Sequence, residues 1–258
     1  MVLAESEQIS IRKIGKRFTD NANKKNLKHP INSLWLIRKT GKRMNREILF
    51  PTPIYMKMVK DPEKLNKYLY PLIKAWSEKD KGENKTNEGG GWHSPTNMNH
   101  KKEYQPLTDE LFAMQEEIYK DYGMEPKPGL GNMWTNINYP GSYNRQHIHP
   151  NSQWSGVYYV KVPKDSGNLF VEDPRPAANL ILARRVKKLP APLWKLVSYP
   201  AIEGQIIMFP AWLPHGVEIN ESKEKGEKGW RVSVSFNFIQ VKPDAEDNIP
   251  EGAKANIR

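Results

Sequence analysis

The sequence predicts a mainly β domain of the α+β class, a jelly roll with helices flanking it on its N-terminal side. Three observations carry this. Helical periodicity is confined to the part of the chain before Gly123. From about Gly131 the chain breaks into short β-branched and aromatic runs punctuated by Gly and Pro, the texture of an antiparallel sandwich or barrel. Histidines far apart in sequence stand at the ends of two such runs, which suits a barrel whose mouth collects side chains from distant strands.

The chain has 258 residues, enough for one large domain or one domain with an arm. The spacing of its charge places the arm at residues 1–46. Residues 1–50 carry 12 Lys and Arg against four acids, most of a net charge of +11. Such a stretch reads as a basic, poorly packed arm, with a short helix around Ile31 to Ile37. It is either a solvated tail or a holder of nucleic acid or another acidic partner. Residues 241–258 form a polar C-terminal tail, leaving 47–240 as the folded domain.

Several classes are excluded. There is no cysteine, hence no disulfide, thiolate ligand or cysteine nucleophile. No apolar run approaches the roughly 18 residues of a membrane span. The first residues lack the basic and apolar regions of a secretory signal, so a cytoplasmic location is expected.

Glu47 to Val59 reads as a strand with prolines at its edge. Asp61-Pro62 reads as an N-cap and first helical position. Leu65, Leu69, Leu72, Ile73 and Trp76 then give one apolar stripe through about Lys79, and Pro71 within it predicts a kink or an early stop. Residues 79–91 are a polar, glycine-rich loop. His93 and His100 follow as loop histidines of the surface kind. Thr108 is expected to cap a second helix, with Leu111, Met114, Ile118 and Tyr122 on its buried face and Gly123 as its stop.

Strands are expected over 133–138, 154–162, 168–171, 193–199, 205–209 and 231–239. Residues 174–192 read as a mobile excursion beside the barrel mouth. His147 and His149 stand two apart at the end of an alternating run, so on a strand they share a face. His215 closes the run from Gln205. Two neighbouring imidazoles and a distant third are the ligand arithmetic of a mononuclear metal site with open coordination positions. Arg231, Ser233 and Ser235 share one face of the last strand. An arginine there either points into the barrel, where it needs an anion, or pairs on the surface with an acid such as Glu227.

Gly141, five residues, then His147-x-His149, with Gly204, five residues, Pro210 and His215, resemble the two halves of the cupin signature. The longer strings Asn132 to Asn138, His147-Ile-His-Pro-Asn, Trp154 to Pro163, Asp173-Pro-Arg175, Phe209 to Glu218 and Arg231 to Phe238 resemble a family of iron(II)/2-oxoglutarate-dependent oxygenases of marine bacteria and their phages. The likeness covers roughly residues 47–240. It implies a double-stranded β-helix, Fe(II) as metal and 2-oxoglutarate as a small-molecule cosubstrate. His147 and His215 would be the proximal and distal ligands. His149 stands where the family usually has a carboxylate. Arg231 and Ser233 would clamp the far carboxylate of 2-oxoglutarate, with Asn136, Tyr143 and Tyr158 as polar groups around it and Trp154 and Trp212 as pocket walls.

The resemblance implies an oxygenase that couples decarboxylation of 2-oxoglutarate to succinate with oxidation of a protein or small-molecule substrate. Two rivals stand beside it. One is a cupin-type metalloenzyme that does not use 2-oxoglutarate. The other is a non-catalytic protein whose basic arm holds nucleic acid or a virion surface. A homodimer through the N-terminal strands is the expected assembly.

Overall fold

The structure, a computed structural model, describes residues 50–123, 128–175 and 194–240. The basic arm with its expected helix, all but the first two residues of the 174–192 excursion, and the tail from 241 lie outside these.

The described chain runs β1 (Tyr55–Met58), α1 (Pro62–Lys79), β2 (Asn87–Glu88), β3 (Trp92–His93), α2 (Gln105–Tyr122), β4 (Pro128–Asn138), β5 (Tyr143–His147), β6 (Trp154–Lys161), β7 (Leu169–Glu172), β8 (Leu196–Tyr199), β9 (Gln205–Pro210), β10 (His215–Val217) and β11 (Arg231–Gln240). Two antiparallel sheets form, with orders β1-β9-β6-β11-β4-β3 and β2-β5-β10-β7-β8. The chain thus crosses repeatedly between sheets, as the expected jelly roll requires.

β11 shows why the larger sheet is buried on both sides. Val232, Val234, Phe236 and Phe238 have no exposed surface and pack with Leu69, Ile73, Leu111, Met114 and Ile118 from the two helices. The intervening Arg231, Ser233 and Asn237 are also buried, on the opposite face, because successive side chains alternate. β6 and β9 divide in the same way. Tyr158, Val160, Ile206 and Met208 join the helix-side core. Val157, Tyr159, Ile207 and Phe209 meet Leu169 and Val171 of the smaller sheet in a second core.

α1 begins as expected, with the Asp61 carboxylate accepting from the Lys64 N–H at 3.2 Å and Pro62 in the first turn. It does not stop at Pro71. The proline ring is exposed, while Leu69 and Ile73 on either side of it are fully buried. The packed stripe therefore carries the helix past one missing N–H. α2 starts three residues before Thr108, with Pro106 in its first turn. Thr108 is buried inside the helix rather than capping it. Gly123 does end α2, at φ +66°, the left-handed conformation that glycine adopts at least cost. The predicted first strand shortens to Tyr55–Met58 within the described residues.

Candidate active site

β5 ends and β10 begins on histidines, and the ladder places His147 directly opposite His215. His149 lies beyond the end of β5, in the following turn, where its N–H donates to Ala211 O at 3.0 Å. The shared-strand-face argument therefore holds for His147 but not for His149. It is this turn, tied to the chain after β9, that swings the third imidazole in. The ring centroids are 4.8 Å apart for His147 and His149, 4.4 Å for His147 and His215, and 5.0 Å for His149 and His215. One ligand nitrogen from each lies within 4.8 Å of the others.

Two of the rings have fixed tautomers. His147 Nδ1–H donates to Arg145 O at 2.7 Å and His215 Nδ1–H to Leu213 O at 2.8 Å, which leaves each Nε2 lone pair free. Burial lowers the His215 pKa to about 3, and burial with the neighbouring His147 lowers that of His149 to about 4. Burial also lowers His147. At neutral pH the cluster is three neutral imidazoles, the protonation state in which histidine binds a divalent metal. The donor set therefore fits Fe(II), with positions left for other ligands.

Arg231 lines the same cavity and is buried, with 1 % of its surface exposed. Its Nη1 donates to Ser166 O at 2.9 Å and Gly167 O at 3.1 Å, and its Nε has no hydrogen-bond partner. Among the described residues no carboxylate forms an ion pair with it; Glu227 pairs instead with Lys74. Burial lowers the Arg231 pKa to about 10, so the guanidinium stays charged at neutral pH. A buried cation with a spare donor and no anion is costly unless a ligand supplies the anion. Ser233 is buried beside it on the same strand face and lines the cavity, so these residues fit 2-oxoglutarate.

The other expected residues divide. Asn136 lines the cavity, donating to Ser235 Oγ at 3.2 Å. Tyr158 does not reach it. Its hydroxyl donates to Asn66 Oδ1 of α1 at 2.6 Å and its ring is in the helix-side core, because its parity on β6 is outward. Tyr159, one residue on, lines the cavity in its place. Tyr143 opens onto a separate groove with Arg145 and Lys164. Trp154 is no wall either, since it packs on Tyr55 and Tyr122. Trp212 is 52 % exposed and does not line the cavity.

The aromatic wall is Trp134, whose ring centroid lies 5.7 Å from that of His149. Behind it His93 stacks on Trp134 at 5.6 Å and 17°. His93 is thus a buried packing residue, 3 % exposed, not the surface loop histidine expected. His100 is exposed. Trp134 could have been found from its parity with Asn136. Tyr159 could not, because both faces of β6 are apolar and aromatic.

Residues 132–237 match the family model described as "Putative 2OG-Fe(II) oxygenase". The comparison with curated proteins gave no match. Among solved structures, a Pseudomonas putida prolyl-4-hydroxylase superposes with TM-score 0.51 at 12% identity, covering 74% of this chain and 94% of that one. The epimerase SnoN of nogalamycin biosynthesis, in complex with Fe3+ and alpha ketoglutarate, superposes with TM-score 0.54 at 11% identity, covering 78% of this chain and 86% of that one. At these identities the superpositions speak for the fold. The stretch that carries all three imidazoles and the buried guanidinium is thus the stretch that matches the 2OG-Fe(II) oxygenase family model.

Proposed function

We propose that this protein is a hydroxylase of the family in which His147, His149 and His215 hold Fe(II) and Arg231 with Ser233 receives the far carboxylate of 2-oxoglutarate. The observation that carries the assignment is a buried guanidinium without an anion, in one cavity with three neutral imidazoles. Bound iron would supply, with dioxygen and 2-oxoglutarate, the oxidising chemistry that yields succinate and carbon dioxide and oxidises a second substrate.

The chain's own contribution is binding, orientation and exclusion of water. The Arg145 and Leu213 carbonyls keep the Nδ1 protons of His147 and His215 away from the ion, and burial keeps the rings neutral. Three neutral ligands leave the full metal charge uncompensated, so a dianionic cosubstrate is favoured here more than beside a carboxylate ligand. Arg231 is held by two carbonyls before any ligand arrives, which reduces the ordering cost of binding. Trp134, Tyr159 and Phe209 line the cavity with rings and limit water at the ion. Asn136 brings an amide to the same cavity, its Oδ1 buried and without a protein partner.

The test is succinate formation from 2-oxoglutarate with Fe(II). Loss in His215→Ala is expected; succinate formation that survives it overturns the assignment. The absence of cysteine supports work in a reducing cytoplasm. The basic excess of residues 1–46 supports an acidic partner such as nucleic acid, tested by comparing the retention of labelled nucleic acid by the full chain and by a chain lacking those residues.

A further inference from the structure

The guanidinium of Arg231 takes its direction from a turn outside its own strand. Residues 162–168 link β6 to β7. Nη1 of Arg231 donates to two successive carbonyls of that link, Ser166 O at 2.9 Å and Gly167 O at 3.1 Å. Two acceptors for the two hydrogens of Nη1 fix the plane of the group. The edge they leave is Nε with Nη2, the parallel pair that matches a carboxylate. Nε on that edge is the buried donor without a protein partner.

Two successive carbonyls converge on one nitrogen only if the residue between them turns the backbone. That residue is Gly167, at φ +83°, a conformation that strains any residue with a side chain. Space excludes a side chain as well. A Cβ on Gly167 would lie 2.5 Å from Glu218 O and 2.7 Å from Ile219 O, backbone atoms just after β10. The turn is bonded to that same segment at both ends and has no room to retreat. Glu221 N–H donates to Asp165 O at 2.8 Å, and Glu218 N–H to Asn168 O at 2.9 Å. The Glu218 carboxylate accepts in turn from Asn168 N–H at 3.1 Å and from the Ser198 hydroxyl at 2.7 Å.

We propose that Gly167 and Glu218 are positioning residues for the cosubstrate, acting through Arg231. Glycine lets both carbonyls reach Nη1, and the Glu218 carboxylate fastens the turn that carries them. Neither residue lines the cavity. Their work is to hold Arg231 in its receiving orientation before 2-oxoglutarate arrives. The inference rests on reading Arg231 as the receiver of the far carboxylate, and adds what aims it.

The test uses the full-length chain loaded with Mn(II), with 2-oxoglutarate binding followed by anaerobic calorimetry. The variants are Gly167→Ala, Glu218→Ala, Arg231→Met and the two doubles that combine Arg231→Met with either of the others. Gly167→Ala and Glu218→Ala should each bind 2-oxoglutarate about three- to tenfold more weakly, the cost of ordering one long side chain on binding. Mn(II) affinity should stay within about twofold of wild type. In the Arg231→Met background either substitution should change the 2-oxoglutarate Kd by less than about twofold, because the group they aim is gone. A residue that only supports the fold would weaken metal and cosubstrate alike, and would add its loss in that background. A loss below about threefold in the single variants overturns the proposal, as does a further loss of about twofold or more in the doubles. An equal loss of Mn(II) affinity also overturns it. If the variants do not fold, the wild type decides. In the Zn(II)-loaded protein without cosubstrate, the Arg231 Nε–H order parameter should exceed about 0.6, and a lower value overturns the proposal. Failure of the underlying assignment shows separately, as Arg231→Met binding 2-oxoglutarate like wild type.

Discussion

Replacing Arg231 by Met separates the stability of this protein from its chemistry. The side chain is fully buried, donates to two backbone carbonyls and leaves Nε unused. Two opposing effects set the cost to the ligand-free fold. The depressed pKa, about 10 against an ordinary 12.5, corresponds to about 3 kcal/mol of unfavourable burial, which the substitution relieves. Against this, the Ser166 and Gly167 carbonyls lose their donor at about 1–2 kcal/mol each. The two nearly cancel, so Arg231→Met should unfold within about 1 kcal/mol of wild type.

Binding of 2-oxoglutarate has no such compensation. Losing a buried charge partner to a carboxylate costs about 3 kcal/mol, or about 100-fold in Kd. Anaerobic calorimetry with Mn(II) in place of iron measures this directly. In thermal scans, cosubstrate at about 100 times its Kd should add about 2.7 kcal/mol of stability and about 5–10 °C to the wild-type Tm. At the same concentration it should add only about 0.4 kcal/mol, about 1–2 °C, to that of Arg231→Met. Arg231→Lys keeps the charge but not the fork, and should lose about tenfold. If Arg231→Met binds 2-oxoglutarate within about threefold of wild type, the cavity does not use that guanidinium. The rival reading, a metalloenzyme independent of 2-oxoglutarate, then becomes the better one.

Other expectations follow from the same geometry. Metal-free protein should lose stability on acidification, because His149 and His215 have folded pKa values of about 4 and 3, below the ordinary 6.5. The unfolded chain takes up protons first as pH falls through about 6.5, so denaturant midpoints should drop toward pH 4.5 by the equivalent of about 2 kcal/mol per imidazole. Bound Zn(II) should resist this shift until the metal is released. Tyr158→Phe removes the donor to Asn66 and should cost about 1 kcal/mol in urea unfolding, with 2-oxoglutarate affinity unchanged; a lowered affinity would return Tyr158 to the site. Gly156→Ala would drive a methyl into Phe236 Cζ and put it 2.7 Å from Ile207 O, and should cost about 3 kcal/mol by chemical denaturation.

What the sequence disclosed depended on how different the two faces of each element are. β11 could be read because Arg231, Ser233, Ser235 and Asn237 alternate with Val232, Val234, Phe236 and Phe238, and only one of those sets can face a helix layer. β6 could not be read, since Trp154, Tyr158 and Val160 on one face are as apolar as Val157 and Tyr159 on the other. Pattern alone therefore does not distinguish Tyr158, on the helix side, from Tyr159, on the cavity side. His147 at the end of its strand followed from pattern, whereas His215, expected to close the run from Gln205, opens β10 in the other sheet after β9 has ended at Pro210. His149 comes in by a turn whose anchor is Ala211, 62 residues further along the chain, and no local pattern encodes that. Pro71 failed as a stop for a related reason, because burial on both sides of it is a tertiary fact. His93 offered no signal of its partner Trp134, which lies on the neighbouring strand.

The alternation along β11 ties catalysis to folding in a way that limits how this protein can change. Adding or removing one residue near its start would exchange the two faces downstream, sending serines and an asparagine into the helix layer and phenylalanines toward the imidazoles. Both the reaction and the fold would be lost in one step. Relatives that acquire new substrates are therefore expected to differ in the length and composition of the connections around the barrel mouth, and to keep the length of this strand fixed.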